Sequence, residues 1–226
     1  MVVLTRSTLA EQAYEELQDQ IVSGRLPAGR RLLADELADA LAISQTPVKE
    51  ALARLEQDGL VETESRRASV VRRFTLADIE RIYEARLLLE LHAASSGLAG
   101  GRATPDFAAR LRAIFEEQMG YAGTESEAAL PEVIRLDREF HELIVSLGDN
   151  PLIAGWHRVV LRQTQTIRNY PLSRYDIGRM RREHGAILAA FESGNPDRVV
   201  DALRSHLTAS RDEFLSRPPE ELPIRP

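Results

Sequence analysis

Apolar residues recur at helical spacing through most of the chain, and the pattern divides into two blocks. In TLAEQAYEELQDQIVSG, Leu9, Ala13, Leu17 and Ile21 form one stripe, which predicts a first helix ended by Gly24 and the turn LPAG. ADELADALA predicts a short second helix. ISQTPVKEALARLEQDGLV predicts a third, with Ser44 as N-cap, Pro47 in the first turn and Gly59 just past the end. Residues 60–64 and 68–72 have strand character and are joined across Ser65, Arg66 and Arg67, as in a two-stranded ribbon.

From residue 75 to about 216 the pattern is helical throughout. Thr75 with Asp78, and Ser173 with Asp176, resemble capping boxes. Thr104-Pro105, Asn150-Pro151 and Asn195-Pro196 each put a cap residue before a proline at the first helical position. Ile79, Ile82 and Leu89, then Leu111, Ile114 and Phe115, then Ile187, Leu188 and Phe191 form apolar stripes. Short loops between about six such helices predict an antiparallel bundle. The expected fold is mostly α: a helix-turn-helix with a ribbon over residues 1–73, a helical bundle over 74–217 and a disordered tail over 218–226.

Composition narrows the picture. The chain has 226 residues, 43% of them hydrophobic, which is enough for a core in each block. It has no cysteine, which excludes disulfides and thiolate metal sites and predicts a reducing compartment. The N-terminus turns polar too soon for a signal peptide, and no apolar run approaches the ~20 residues that span a bilayer, so a cytoplasmic protein without membrane contact is expected. Net charge is −6. Residues 1–74 hold ten basic and twelve acidic side chains, so any nucleic-acid contact must be local.

The second helix of a helix-turn-helix lies in the major groove and offers its first residues to base edges. Here those are Ser44, Gln45, Thr46 and Lys49. Glutamine pairs bidentately with adenine, and lysine reaches guanine or phosphate. Arg66 and Arg67 at the ribbon tip suit the minor groove or the backbone. The bland alternative is an ordinary small helical domain.

The segments TLAEQAYEELQDQIVSGRLPAGRRL and SQTPVKEALARLEQDGLVE resemble the winged helix-turn-helix of the GntR superfamily of bacterial transcription regulators. The resemblance covers nearly all of residues 7–73. It implies a homodimer reading double-stranded, pseudo-palindromic operator DNA, most members acting as repressors. Gln45 and Lys49 stand where the family commonly has arginine. Ala68 stands near a usual wing glycine, and Ala34 replaces a polar or acidic residue. These departures bear on which DNA sequence is preferred.

In the second block, three of the five histidines lie on apolar stripes: His141 beside Phe140 and Ile144, His184 before Ile187, Leu188 and Phe191, and His206 among Val199, Leu203 and Leu207. Asp137 lies one turn before His141. Three stripes facing one bundle centre would gather three imidazoles and a carboxylate, a donor set for zinc, nickel or another first-row divalent ion. The alternative is a set of hydrogen-bonded core histidines. Trp156 reads as packing and His157 as surface.

The pieces DREFH, REH and RSHL are similar to the FCD ligand-binding domain of the FadR-like branch of that superfamily, over roughly residues 75–215. The resemblance implies that Asp137, His141, His184 and His206 hold a divalent metal, zinc or nickel, beside a cavity for a small carboxylate effector. A nearby cation would help hold the carboxylate. Arg86 is the candidate, sharing a face with Ile79, Tyr83 and Glu90, and an Arg86–Glu90 salt bridge at i,i+4 is the competing role. Arg162 and Arg168 are weaker candidates. Two other functions remain open: a regulator whose metal is purely structural, and a metal-dependent hydrolase, which would need a general base that no spare acid beside these motifs supplies.

Overall fold

The computed structural model describes residues 8–65, 68–124, 126–167 and 176–216. They fall into two compact units, divided after Thr75, with the last residues of the fourth bundle helix, 165–167, grouped with the first unit.

In the first unit, α1 (Leu9–Val22) is followed by β1 (Arg31–Leu33), α2 (Ala34–Leu41), α3 (Gln45–Gln57), β2 (Val61–Ser65) and β3 (Ala68–Val71). Thr8 caps α1 by accepting a hydrogen bond from the Glu11 amide. The stripe of α1 is shifted from the expected one: Ala10, Ala13, Tyr14, Leu17, Ile21 and Val22 are buried, whereas Leu9 is exposed. Helix α3 buries Val48, Ala51, Leu52 and Leu55 against α1 and ends at Gly59, whose φ of +70° suits the residue after a helix C-cap. Ser44 is the N-cap by position but makes no side-chain capping bond, which corrects its expected role.

The expected two-stranded ribbon is a three-stranded antiparallel sheet in the order β1-β3-β2, with Leu32 opposite Ser69 and Thr63 also opposite Ser69. Three residues are too few to show an alternation, so β1 carries no strand signal of its own. Within residues 8–75 the buried side chains are apolar or aromatic, from Ala13 and Leu17 through Val48 and Leu55 to Leu60 and Val71.

The second unit holds α4 (Leu76–Ala99), α5 (Pro105–Ala122), a short 3₁₀ turn (Glu127–Ala129), α6 (Leu130–Ser146), α7 (Pro151–Ile167), α8 (Ile177–Glu192) and α9 (Pro196–Ser216). The six expected bundle helices are therefore present among the described residues. Three predicted starts hold in detail. Thr104 accepts from the Phe107 amide, Asn150 from Leu152 and Ile153, and Asn195 from Asp197 and Arg198. The start of α8 differs. Asp176 is itself the N-cap, accepting from the Arg179 amide, and Ser173 lies outside the described residues, as does the tail 218–226.

Helix α4 packs along α9 and α6. At Gly97 its backbone lies close to the end of α6, where a Cβ would meet Leu147 Cβ at 2.5 Å and the Leu147 carbonyl oxygen at 2.7 Å. At this end of the bundle the core is apolar, with Phe107, Leu111, Phe140, Ile144, Ile187, Phe191 and Leu203 interlocked.

Candidate metal centre and nucleic-acid interface

Beside that apolar layer the bundle interior turns polar. Arg86 and Glu90 of α4, Gln118 of α5, Asp137 and His141 of α6, His157 of α7, His184 of α8 and His206 of α9 are all buried. Each lies on the inward stripe of its helix, so five apolar stripes and the α7 stripe turn polar at one level.

Three histidines meet there. One ring nitrogen from each of His141, His184 and His206 lies within 4.8 Å of one from each of the others. Their ring centroids are 4.9 to 5.5 Å apart, and Phe140 stacks on His184 at 4.5 Å. Asp137 stands beside them, its Oδ1 3.6 Å from His184 Nε2.

The Nδ1 atom of each ring is engaged from behind. His141 Nδ1 is 2.8 Å from Glu90 Oε2, His184 Nδ1 is 2.9 Å from Gln118 Oε1, and His206 Nδ1 is 2.7 Å from Glu183 Oε2. The Gln118 amide is itself oriented, because its Nε2 donates to the Val133 carbonyl at 3.1 Å. A carbonyl only accepts, so the NH₂ group faces Val133 and the amide oxygen faces the imidazole. His184 therefore donates from Nδ1, and its lone pair sits on Nε2. The carboxylates of Glu90 and Glu183 impose the same tautomer on His141 and His206. Such backing orients metal-binding imidazoles and raises their basicity. His141 Nε2 is buried and has no hydrogen-bond partner among the described residues. Three imidazoles with their outer nitrogens turned toward one another, and no cysteine in the chain, suit a first-row divalent ion; Asp137 lies beside this group rather than within it.

Arg86 takes the salt-bridge role weighed for it. Its Nε donates to Glu90 Oε1 at 2.8 Å, which is the i,i+4 salt bridge. Its Nη1 and Nη2 are buried with no hydrogen-bond partner among the described residues. Burial lowers the Arg86 pKa, but Glu90, Tyr83 and Asp137 outweigh it and the net shift is upward. Glu90 mirrors this. Burial raises its pKa, while Arg86, His141 and His157 hold the carboxyl well below the usual carboxylate range. A guanidinium fixed through Nε, with both outer N–H groups unpaired among the described residues, has the donor geometry that a carboxylate requires.

Two sequence readings are overturned on α7. His157 is fully buried and its Nε2 is 3.2 Å from Glu90 Oε1, whereas Trp156 is 60% exposed. The helix turns His157, Leu161 and Thr164 inward, and hydrophobicity alone misassigns neighbours one residue apart. The partners Gln118 and Glu183 were also not legible as such. Glu183 adjoins His184 in REH, but a glutamine on α5 carries no mark of its role. Arg162 is partly buried, and Arg168 lies outside the described residues.

On the first unit, Ser44, Gln45, Thr46 and Lys49 are all exposed at the start of α3, opposite the buried Val48, Ala51 and Leu52. With no capping bond, the Ser44 hydroxyl is not committed to its own helix. Arg66 and Arg67 lie outside the described residues.

Comparison with known proteins agrees with both halves. Residues 9–71 match the bacterial regulatory proteins of the gntR family, and residues 81–209 match the FCD domain. The HTH-type transcriptional regulator YdhC of Bacillus subtilis is 32% identical over 141 residues, which is 62% of this chain and 60% of that protein. A probable D-xylose utilization operon transcriptional repressor of Paenarthrobacter nicotinovorans is 29% identical over 212 residues, 91% of this chain and 88% of that protein. Among solved structures, E. coli McbR/YncC superposes with a TM-score of 0.79 at 21% identity, covering 93% of this chain and 98% of that one, which establishes a common fold.

Proposed function

From the premise that this chain belongs to the gntR family of bacterial regulatory proteins and carries an FCD domain, we propose a homodimeric, effector-responsive repressor with a metal-assisted carboxylate site. DNA binding and transcription regulation come with the family; the finer assignments are our reading. Residues 1–73 would bind a pseudo-palindromic operator through Ser44, Gln45, Thr46 and Lys49, with Arg66 and Arg67 on the wing. Residues 74–217 would sense the effector. Repression follows the naming of the Paenarthrobacter relative.

Asp137, His141, His184 and His206 would hold a zinc or nickel ion, which supplies positive charge and coordination positions for an oxygen ligand. Arg86 binds the effector carboxylate through Nη1 and Nη2. Glu90 fixes the Arg86 fork from the other side and keeps the proton of His141 on Nδ1. The observation that carries this reading is the pairing of three pre-oriented imidazoles with a buried guanidinium whose outer N–H groups are uncommitted. The effector changes operator affinity only so far as it binds one arrangement of the dimer better than another.

The test is a thermal-shift screen of metal-loaded protein against small carboxylates and sugar acids, repeated on His184→Ala and Arg86→Met. A ligand at ~100 times its dissociation constant adds ~2.7 kcal/mol of stability. A hit lost in both variants, and changing operator retention in a gel shift, supports the proposal. Metal binding without a carboxylate hit in any class would leave a structural metal and sink the effector role.

A further inference from the structure

The histidine cluster occupies one face of α6. The opposite face, by helical phase, carries Glu139, Glu142, Leu143 and Ser146. Here α5, α6 and α7 leave a cleft of about 390 Å³, a size suited to a small metabolite. Arg110 of α5 and Arg158 of α7 flank it, and Ile114, Leu143 and Ala154 supply an apolar wall.

Three of its charges are uncommitted. Arg110, Glu142 and Arg158 form no ion pair or hydrogen bond among the described residues. Glu139 differs, being held by Arg135 at 2.5 Å. The buried polar residue of the lining is His157, whose Nε2 faces Glu90 and whose Nδ1 has no hydrogen-bond partner among the described residues. Glu90 in turn holds His141. The cleft is thus joined to the histidine cluster by an unbroken path from His157 through Glu90 to His141.

We propose that this cleft is a second ligand site, for a dicarboxylic α-amino acid, and that His157 and Glu90 couple its occupancy to the metal centre. Two guanidinium groups match two carboxylates, and the Glu142 carboxylate matches one ammonium. The apolar wall takes the methylene stem. Binding in the cleft stands on its own geometry; the coupling rests on the metal reading above.

The sole tryptophan, Trp156, precedes His157 on α7 without lining the cleft, so its emission is an indirect readout and calorimetry is the direct one. The experiment titrates the full-length protein with L-glutamate and L-aspartate, following Trp156 emission and, in parallel, heat by calorimetry. We expect saturable binding, weakened at least tenfold in Glu142→Gln and in Arg158→Gln. Glutarate, which lacks the ammonium, should bind at least tenfold more weakly than glutamate to the wild type and equally well to Glu142→Gln. Binding should persist in His184→Ala, which removes a metal ligand but not the cleft. In chelator competition, saturating amino acid should change metal affinity severalfold in the wild type and not in His157→Gln.

No binding by either readout, or binding that both cleft variants leave unchanged, overturns the site. Loss of binding in His184→Ala places the ligand at the metal cluster instead and also overturns it. Persistent cleft binding with no effect on metal affinity overturns the coupling alone, and a wild type that binds no metal fails the earlier proposal while leaving the cleft assignment standing.

Discussion

The two units keep their shape by different means. Over residues 8–75 the first buries only apolar and aromatic side chains, among them Leu17, Ile21, Val48, Leu55, Leu60 and Val71. The interior of the second carries an arginine, three acids or amides and four histidines, all buried, beside an ordinary apolar layer. Burying charge is costly unless partners offset it, and a buried ion pair often stabilises no better than well-packed hydrophobic residues. The first unit needs only its fold to explain its core. The second has a polar layer that its fold does not require, and this is the physical mark of a site.

The contrast can be broken most sharply at Glu90. Glu90→Ala strips Arg86, His141 and His157 of their common acceptor and should destabilise the bundle by about 3–5 kcal/mol in urea unfolding. The double change Arg86→Met with Glu90→Leu should restore most of that loss while abolishing carboxylate binding. A double variant as unstable as the single one would mean that the pair serves the fold. In the first unit the comparable break is Leu17→Ala, expected to cost about 2–5 kcal/mol through lost burial and a cavity, with metal affinity unchanged.

A smaller effect sharpens the reading of the histidines. Gln118→Leu should weaken metal binding about 10–100-fold in chelator competition, and Gln118→Glu, which keeps an acceptor toward His184, should recover much of it. Equal weakening by both would mean that Gln118 serves packing alone. The smallest change is at the DNA face. Lys49→Ala should leave stability within about 0.5 kcal/mol and reduce the salt dependence of operator binding by about one in log–log slope. An unaltered slope removes Lys49 from the phosphate contacts.

What the sequence revealed followed the same division. Helix starts at Thr104, Asn150 and Asn195 were legible because a cap and a proline are local devices that tertiary packing does not override. The clustering of His141, His184 and His206, with Asp137 beside them, was legible because polar residues on apolar stripes are rare enough to notice. Short-range signals failed where the outcome depended on phase or on a distant partner. Leu9 and Trp156 are apolar yet exposed, and His157 is polar yet buried, each displaced by the turn of its helix. Strand β1 exists only because β3 lies alongside to pair with it. Glu90 was visible as a partner for Arg86, but its bonds to His141 and His157 join residues 51 and 67 positions apart.

The contact at Gly97 gives α4 a fulcrum. The helix is pinned where its backbone meets Leu147 without an intervening side chain. Glu90 lies seven residues before that point, about 10 Å along the axis, and Leu76, where the helix begins, lies about 32 Å away. Were α4 to turn as a rigid rod about Gly97, a displacement at Glu90 would be about threefold larger at Leu76. A larger residue at position 97 would have to push α4 off Leu147 and would shift any such pivot.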